Sequence, residues 1–363
     1  MESELNSKNI LSRAPTTRYR GSKRRILPWL HENIDPLKFE TVLDGFGGTG
    51  SVSFLLKMMG KEVTFNDILK SNYQAGISLI ENNKFILTKN DIKFLIHKNG
   101  FEYPSFVQET FKDIYYLNDE NEWLDVIIHN IQMLSELYSG EVLRKKQALS
   151  YNALFQACLC KRPYNLFHRK NLYMRTADVE RTFCNKTTWE RSFDYFFVKF
   201  SKEISEKVFS NKKTNKSLCS NILDVEETNY DLLYLDPPYI SNKSRKSLSD
   251  YQDYYHFLEG IVNYSSWDSK IDHSKKNKPL LKTQPAWSKK SAEKSLDDIF
   301  KKFSDSIIVT SYGEPGYPSI ETIVELLHQY KKDVDVRKRQ FNYTLNRSTK
   351  NGDKLHEVLI IAK

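Results

Sequence analysis

The chain has 363 residues, a formal net charge of +9 and a pI of about 9.0. Hydrophobic content of 39% and charged content of 28% are ordinary for a globular protein and exclude a fibrous or low-complexity chain. The length exceeds one core of typical size, so a large domain with an insertion, or two domains, is expected, and the positive balance suits a polyanionic partner.

The N-terminal stretch MESELNSKNILSR mixes acidic, basic and polar residues and is not a signal peptide. No apolar run approaches the roughly 18 residues needed to span a bilayer. The expected location is cytoplasmic, with no membrane partner. Cys158, Cys160, Cys184 and Cys219 form no paired zinc clamp and read as reduced, buried thiols.

RRILPWLHENI has helical spacing of its apolar positions. FETVLDGFGGTG is a strand running into a glycine-rich turn, SVSFLLKMM resumes a helix, and KEVTFNDI is a second strand. This strand, turn, helix, strand order is a βαβ unit, which implies a parallel sheet.

Residues 84–200 read as an insertion with its own small, mainly helical fold. EWLDVIIHNIQMLSELY is an amphipathic helix. The segment from Ala153 to Phe193 is dense in Arg, Lys, Asn, Tyr and Phe without clean periodicity. FDYFFVKFSKEISEKVF then leads back to the sheet.

NILDV and DLLYLDPPY read as strands and DYYHFLEGIVNY as a helix. The lysine-rich stretch from Ser265 to Lys294, with Trp267 and Trp287 unexplained, reads as a mobile loop. DSIIVTSY is a strand and SIETIVELLHQY a helix capped by Ser319. HEVLIIAK closes the sheet, with VRKRQFNYTL as its hairpin partner. The expected domains are therefore a catalytic domain of residues 1–83 and 201–363, interrupted by 84–200.

Two motifs carry chemistry. The first spaces Asp44, Phe46, Gly48 and Gly50 across a turn between strand and helix. Glycines there let a ligand approach the backbone. Ser53 stands where the dinucleotide fingerprint wants a third glycine, so a pyrophosphate is poorly supported. Asp44 suits a ligand that carries an amine or sulfonium beside an adenosine. Asp67, at the end of the next strand, is placed either to bind ribose hydroxyls or to cap a helix.

The second motif delivers Asp236 to the carboxyl edge of the sheet, followed by Pro237, Pro238 and Tyr239. The prolines have fixed φ and no N–H, so their carbonyls stay free to accept. A carboxylate, a carbonyl and a ring face match a planar heterocycle with an exocyclic amine. Acceptors on the two amino protons favour a reactive nitrogen and stabilise its cationic transition state. The alternative is a turn that caps a strand. Nothing in this chemistry requires a metal.

Together these motifs resemble the DNA adenine-N6 methyltransferases of the Dam-like class, which include methylase partners of restriction endonucleases. The resemblance implies a Rossmann-like α/β methyltransferase fold with a mostly parallel sheet and an inserted target-recognition domain. It implies S-adenosylmethionine as methyl donor, double-stranded DNA as substrate and a cognate restriction endonuclease as a further partner. In the family an aromatic residue and a lysine four positions later help to hold the cofactor, and Tyr19 and Lys23 match that spacing. Asp67 matches the ribose-binding carboxylate, and Asp224 an acidic residue near the cofactor's adenine. The target adenine would be flipped out and stacked on Tyr239, with its amino protons on Asp236 and the Pro237 carbonyl.

Arg162, His168, Arg169, Lys170, Arg175 and Arg181 are candidates for phosphate or guanine contacts, or form a solvated basic face. RNA or protein acceptors on the same fold, and a non-catalytic DNA-binding protein, are the competing readings.

Overall fold

A computed structural model describes residues 6–179, 185–238, 251–281, 291–340 and 356–363. The chain begins with α1 (Ser7–Arg13), a short 3₁₀ turn (Lys23–Ile26) and α2 (Leu27–Ile34). A βαβ unit follows: β1 (Thr41–Asp44), α3 (Ser51–Met58) and β2 (Glu62–Asn66). After α4 (Lys70–Ala75) and a π-helical turn (Gly76–Glu81) comes the helical stretch. It contains α5 (Lys89–Ile96), α6 (Phe106–Thr110), α7 (Asn118–Gln132), α8 (Gly140–Cys160), α9 (Tyr173–Thr176), α10 (Asn185–Glu190) and α11 (Phe193–Ser205). The sheet resumes with β3 (Lys216–Leu218) and β4 (Leu232–Leu235), followed by α12 (Tyr251–Val262) and α13 (Ala292–Lys302). β5 (Ile307–Glu314), α14 (Ile320–His328), β6 (Val334–Gln340) and β7 (His356–Ala362) complete it.

The seven strands lie in the order β3-β2-β1-β4-β5-β7-β6. β7 runs antiparallel to both of its neighbours, and the other pairings are parallel. VRKRQ is thus the hairpin partner expected for the closing strand. Connections from β1 run to one side and those from β4 to the other, so a switch point falls between them. Open α/β sheets bind ligands outside the carboxyl ends of strands at such a point.

Period-two alternation separates the two faces. Val42, Leu232 and Tyr234 belong to one buried cluster, and Leu43, Leu233 and Leu235 to the other. The second face is covered by α13 and α14 through Leu296, Phe300, Ile323 and Leu327. The first cluster runs from the sheet through Leu55 and Leu79 to Leu124, Ile128, Leu154 and Phe197 of the helical stretch. The stretch 84–200 was expected to have its own small fold, but its helices share one core with the sheet.

The middle of that core is α8, which is buried almost continuously from Lys145 to Cys160. A helix covered on all sides needs no polar face and shows no amphipathic period, so Ala153–Cys160 did not read as helical. Caps are clearer: Thr88 and Asp91 form a capping box on α5, and Ser319 accepts from the Thr322 N–H on α14.

Two further expectations are corrected. NILDV is not a strand: Ile222–Asp224 is a 3₁₀ turn, and the strand before it is β3. Residues 264–281 are not a loose loop. Trp267 is fully buried against Phe106, Phe111 and Phe257, and a Cβ on Gly260 would come within 1.7 Å of its indole. Trp287 lies outside the described residues.

Candidate active site

The turn after β1 is shaped by close approach. Gly50 starts α3 with φ of +75°, a conformation that side chains disfavour. A Cβ on Gly47 would stand 2.2 Å from the Phe65 ring, so only glycine lets the loop lie on β2. The result is a cavity of about 310 Å³ over the switch point.

The cavity collects Asp44, Phe46 and Gly48 from the turn, Asp67 from the end of β2, and Asp236 and Pro238 from the end of β4. Tyr19 and Lys23 reach it from the segment before α2. Gly50 and Pro237 are not among its lining residues. Asp224 is exposed, and the wall beside it is formed by Ser220 to Leu223. Tyr239 lies outside the described residues.

Asp44 is 1% exposed. Its Oδ2 accepts from Ser53 Oγ at 2.5 Å, and its Oδ1 has no partner. Burial pushes its carboxyl up to about 7, against the Ser53 hydrogen bond, and the charge of Asp236 adds to the rise. Asp67 is held harder: Oδ2 accepts from the Gly48 N–H at 2.8 Å and Asn72 Nδ2 at 3.1 Å, and Oδ1 from the Leu69 N–H at 2.8 Å. Burial still raises it to about 6. Both expected roles of Asp67 therefore compete for the same two oxygens.

Asp236 keeps 21% of its side chain open to the cavity. Its Oδ1 lies 3.0 Å from Lys23 Nζ, which also lies 2.5 Å from Glu357 Oε1. Burial raises Asp236 to about 6, Lys23 pulls it down and Glu357 pushes it up. The Lys23 ammonium is thus committed to two carboxylates.

Tyr19 stacks on Tyr255, with ring centroids 4.1 Å apart and planes 13° off parallel. Its hydroxyl accepts from the same Asn72 amide that donates to Asp67. Neither Asn72 nor Tyr255 stood out in the sequence. Glu357 did leave a signal, as a charge inside the apolar run HEVLIIAK.

The arginine candidates divide. Arg162 is 1% exposed. Its guanidinium lies over the Tyr115 and Phe167 rings and donates to the Leu166, Arg169 and Tyr115 carbonyls. Arg175 forms a two-pronged pair with Glu120 at 2.8 and 2.7 Å. Both were expected to meet DNA, but they hold the fold together, because a buried guanidinium needs acceptors around it. Arg169 and Lys170 are exposed, and His168 is half-buried against the Tyr254 ring. Arg181 lies outside the described residues.

Such a cavity can hold a ligand with a positive group on Asp44, and present a second, amine-bearing ring to Asp236. Among the described residues no helix is long and apolar enough to cross a membrane.

The sequence model of the family described as D12 class N6 adenine-specific DNA methyltransferase matches residues 19–311. The type II methyltransferase M2.HphI of Haemophilus parahaemolyticus is 28% identical over 258 residues, which is 69% of this chain and 71% of that protein. The modification methylase StsI of Streptococcus sanguinis is 24% identical over 377 residues, covering 94% of this chain and 51% of that protein. The chain therefore spans about half the length of the second relative.

Proposed function

Because the chain belongs to the D12 class of N6 adenine-specific DNA methyltransferases, we propose that the cavity over β1 and β4 binds S-adenosylmethionine beside a flipped-out adenine of double-stranded DNA. The observation that carries this reading is the convergence of Asp44 and Asp236 on one cavity at the switch point.

The residues fit the cofactor. Asp44 Oδ1 is buried without a partner, an arrangement that costs free energy unless a donor arrives. The ammonium of the methionine part is such a donor, and it would return Asp44 to its charged form. An ionised carboxylate has about four acceptor positions, and the three donors on Asp67 leave one for a ribose hydroxyl. Phe46, Ile68 and Ile222 offer apolar walls to the adenine ring. Bound S-adenosylmethionine supplies the electrophilic methyl group.

Asp236 takes one amino proton of the target adenine in a hydrogen bond, and the Pro237 carbonyl takes the other. Because its pKa lies near 6, Asp236 is ionised at neutral pH and ready to accept. Positive charge grows on the adenine nitrogen as the methyl group transfers, and the carboxylate offsets it. Tyr239 stacks on the flipped base. Arg169, Lys170 and His168 face the DNA backbone. The chain acts as the modification partner of a restriction endonuclease.

Incubation with duplex DNA and methyl-labelled S-adenosylmethionine, followed by digestion to nucleosides, tests the reading. Label on N6-methyl-2′-deoxyadenosine is the expected result. Label on cytosine, on RNA or on protein overturns the acceptor.

A further inference from the structure

Glu357 plays no part in the transfer described above, and it lies beyond the residues the family matches. Yet its carboxylate is one of the deepest charges in the protein, at 2% exposed. It accepts from Ser311 Oγ at 2.9 Å and lies 2.5 Å from Lys23 Nζ. The same Nζ lies 3.0 Å from Asp236 Oδ1. Three adjacent strands build this row. Leu235 pairs with Thr310 across β4 and β5, so Asp236 and Ser311 are the next residue on each. Glu357 sits opposite Gly313 across β5 and β7. The 3₁₀ turn after Ser22 inserts Lys23 between the carboxylates.

One ammonium is thus shared by two carboxylates, the enclosed Glu357 and the half-buried Asp236. A lysine devoted to Asp236 alone would neutralise it and weaken it as an acceptor. We propose that Glu357, anchored by Ser311, is a positioning residue for methyl transfer: it draws the Lys23 ammonium partly away from Asp236, which keeps the electron density needed to accept the adenine's amino proton. This rests on the role given to Asp236 above. Glu357 itself touches no substrate and acts through Lys23.

Among the described residues the charged and titratable groups facing Asp236 are Lys23 from the N-terminal turn, Glu357 from β7, Asp44 from β1 and Tyr234 on its own strand. Of these, Glu357 pushes the Asp236 carboxyl up and Lys23 pulls it down. Removing the charge of Glu357 therefore lowers the proton affinity of Asp236.

The test is the single-turnover rate of the full chain, preloaded with S-adenosylmethionine and duplex DNA, from about pH 5 to about pH 8. The wild type should lose rate on the acid side near pH 6, where Asp236 protonates. Glu357→Gln keeps an oxygen for both hydrogen bonds but removes the charge. Its acid limb should move down by about half to one pH unit, and its plateau should fall about threefold, as expected for a weaker acceptor. Ser311→Ala should do the opposite. It leaves Lys23 as the one donor to Glu357 among the described side chains, so Glu357 draws Lys23 harder and the limb moves up. Loosened packing does not produce shifts of opposite sign. Should Glu357→Gln fail to fold, the upward shift in Ser311→Ala carries the test. A wild-type limb that neither folded variant moves overturns the role of Glu357 alone. A wild type without any acid limb overturns the role of Asp236 as well.

Discussion

Two groups of enclosed carboxylates in this molecule, one paired with cations and one lining the cavity, are treated in opposite ways. In and just before the helical stretch three of them meet cations, whereas Asp125 is held by the Val107 and Gln108 N–H groups and the Tyr264 hydroxyl and is raised by burial. Glu120 lies 2.6 Å from Lys161 Nζ and 2.7 Å from Arg175 Nη2, Asp91 meets Lys146, and Glu81 meets Arg144 and Lys145. Burial works against each, but these partners win, and all three carboxyls are held below the usual range. Around the cavity the outcome reverses. Asp44, Asp67 and Asp236 all rise, because burial outweighs their few hydrogen bonds and the single shared lysine. Charge on Glu81, Asp91 and Glu120 is complete within the protein. Charge at the cavity is left for a ligand to complete, which is how strained electrostatics mark a functional site.

Substitutions in the two regions should therefore behave differently. The largest effect belongs to Asp236→Ala, which should lower the single-turnover methyl-transfer rate by about 10² to 10⁴ and leave DNA affinity, read by a gel or fluorescence titration, unchanged. Equal loss of DNA binding would remove Asp236 from the chemistry.

In the helical stretch, Glu120→Ala strands Lys161 and Arg175 in the interior and should cost about 3 to 5 kcal/mol in denaturant unfolding. Because its folded pKa is lowered, the stability Glu120 gives is present at neutral pH and is lost as pH falls below the ordinary carboxylate range.

Asp44→Asn should have the opposite sign. A carboxyl raised from 3.8 to about 7 gives stability that is full below pH 3.8 and is lost as pH rises to about 7. The ligand-free variant should therefore be more stable than the wild type at about pH 8, by on the order of 3 kcal/mol, and not at about pH 4. A variant no more stable at high pH would erase the contrast between the regions.

The smallest effect is expected on the surface. Arg169→Ala and Lys170→Ala should leave the unfolding midpoint in place. Each should reduce the slope of log affinity for DNA against log salt by about 1. Arg162→Ala should instead lower the midpoint, since its guanidinium is enclosed.

Sequence and structure agree best where period and punctuation are local. The glycine turn, β4 with its Asp-Pro-Pro end and the Ser319 cap were all legible, because each is dictated by residues within a few positions of one another. The buried half of α8 was not legible, since a helix covered on all sides loses the pattern that announces it. Arg162 and Arg175 misled for a related reason: composition counts charge, but only the fold decides whether an acceptor surrounds it. Trp267 needed the facing Gly260 to be understood. At the site, Lys23 was legible as a pocket residue, but its partner Glu357 is 334 residues away and no spacing connects them.

The most direct measurement is calorimetric affinity for S-adenosylmethionine from about pH 5.5 to about pH 7.5, with wild type and Asp44→Asn side by side. The account predicts wild-type affinity that rises with pH through about 7, as Asp44 ionises against the bound ammonium, and a weaker, flat profile for Asp44→Asn. Profiles equally flat in both proteins would contradict it, because the unpartnered carboxylate at the floor of the cavity would then not be the group that meets the ligand's charge.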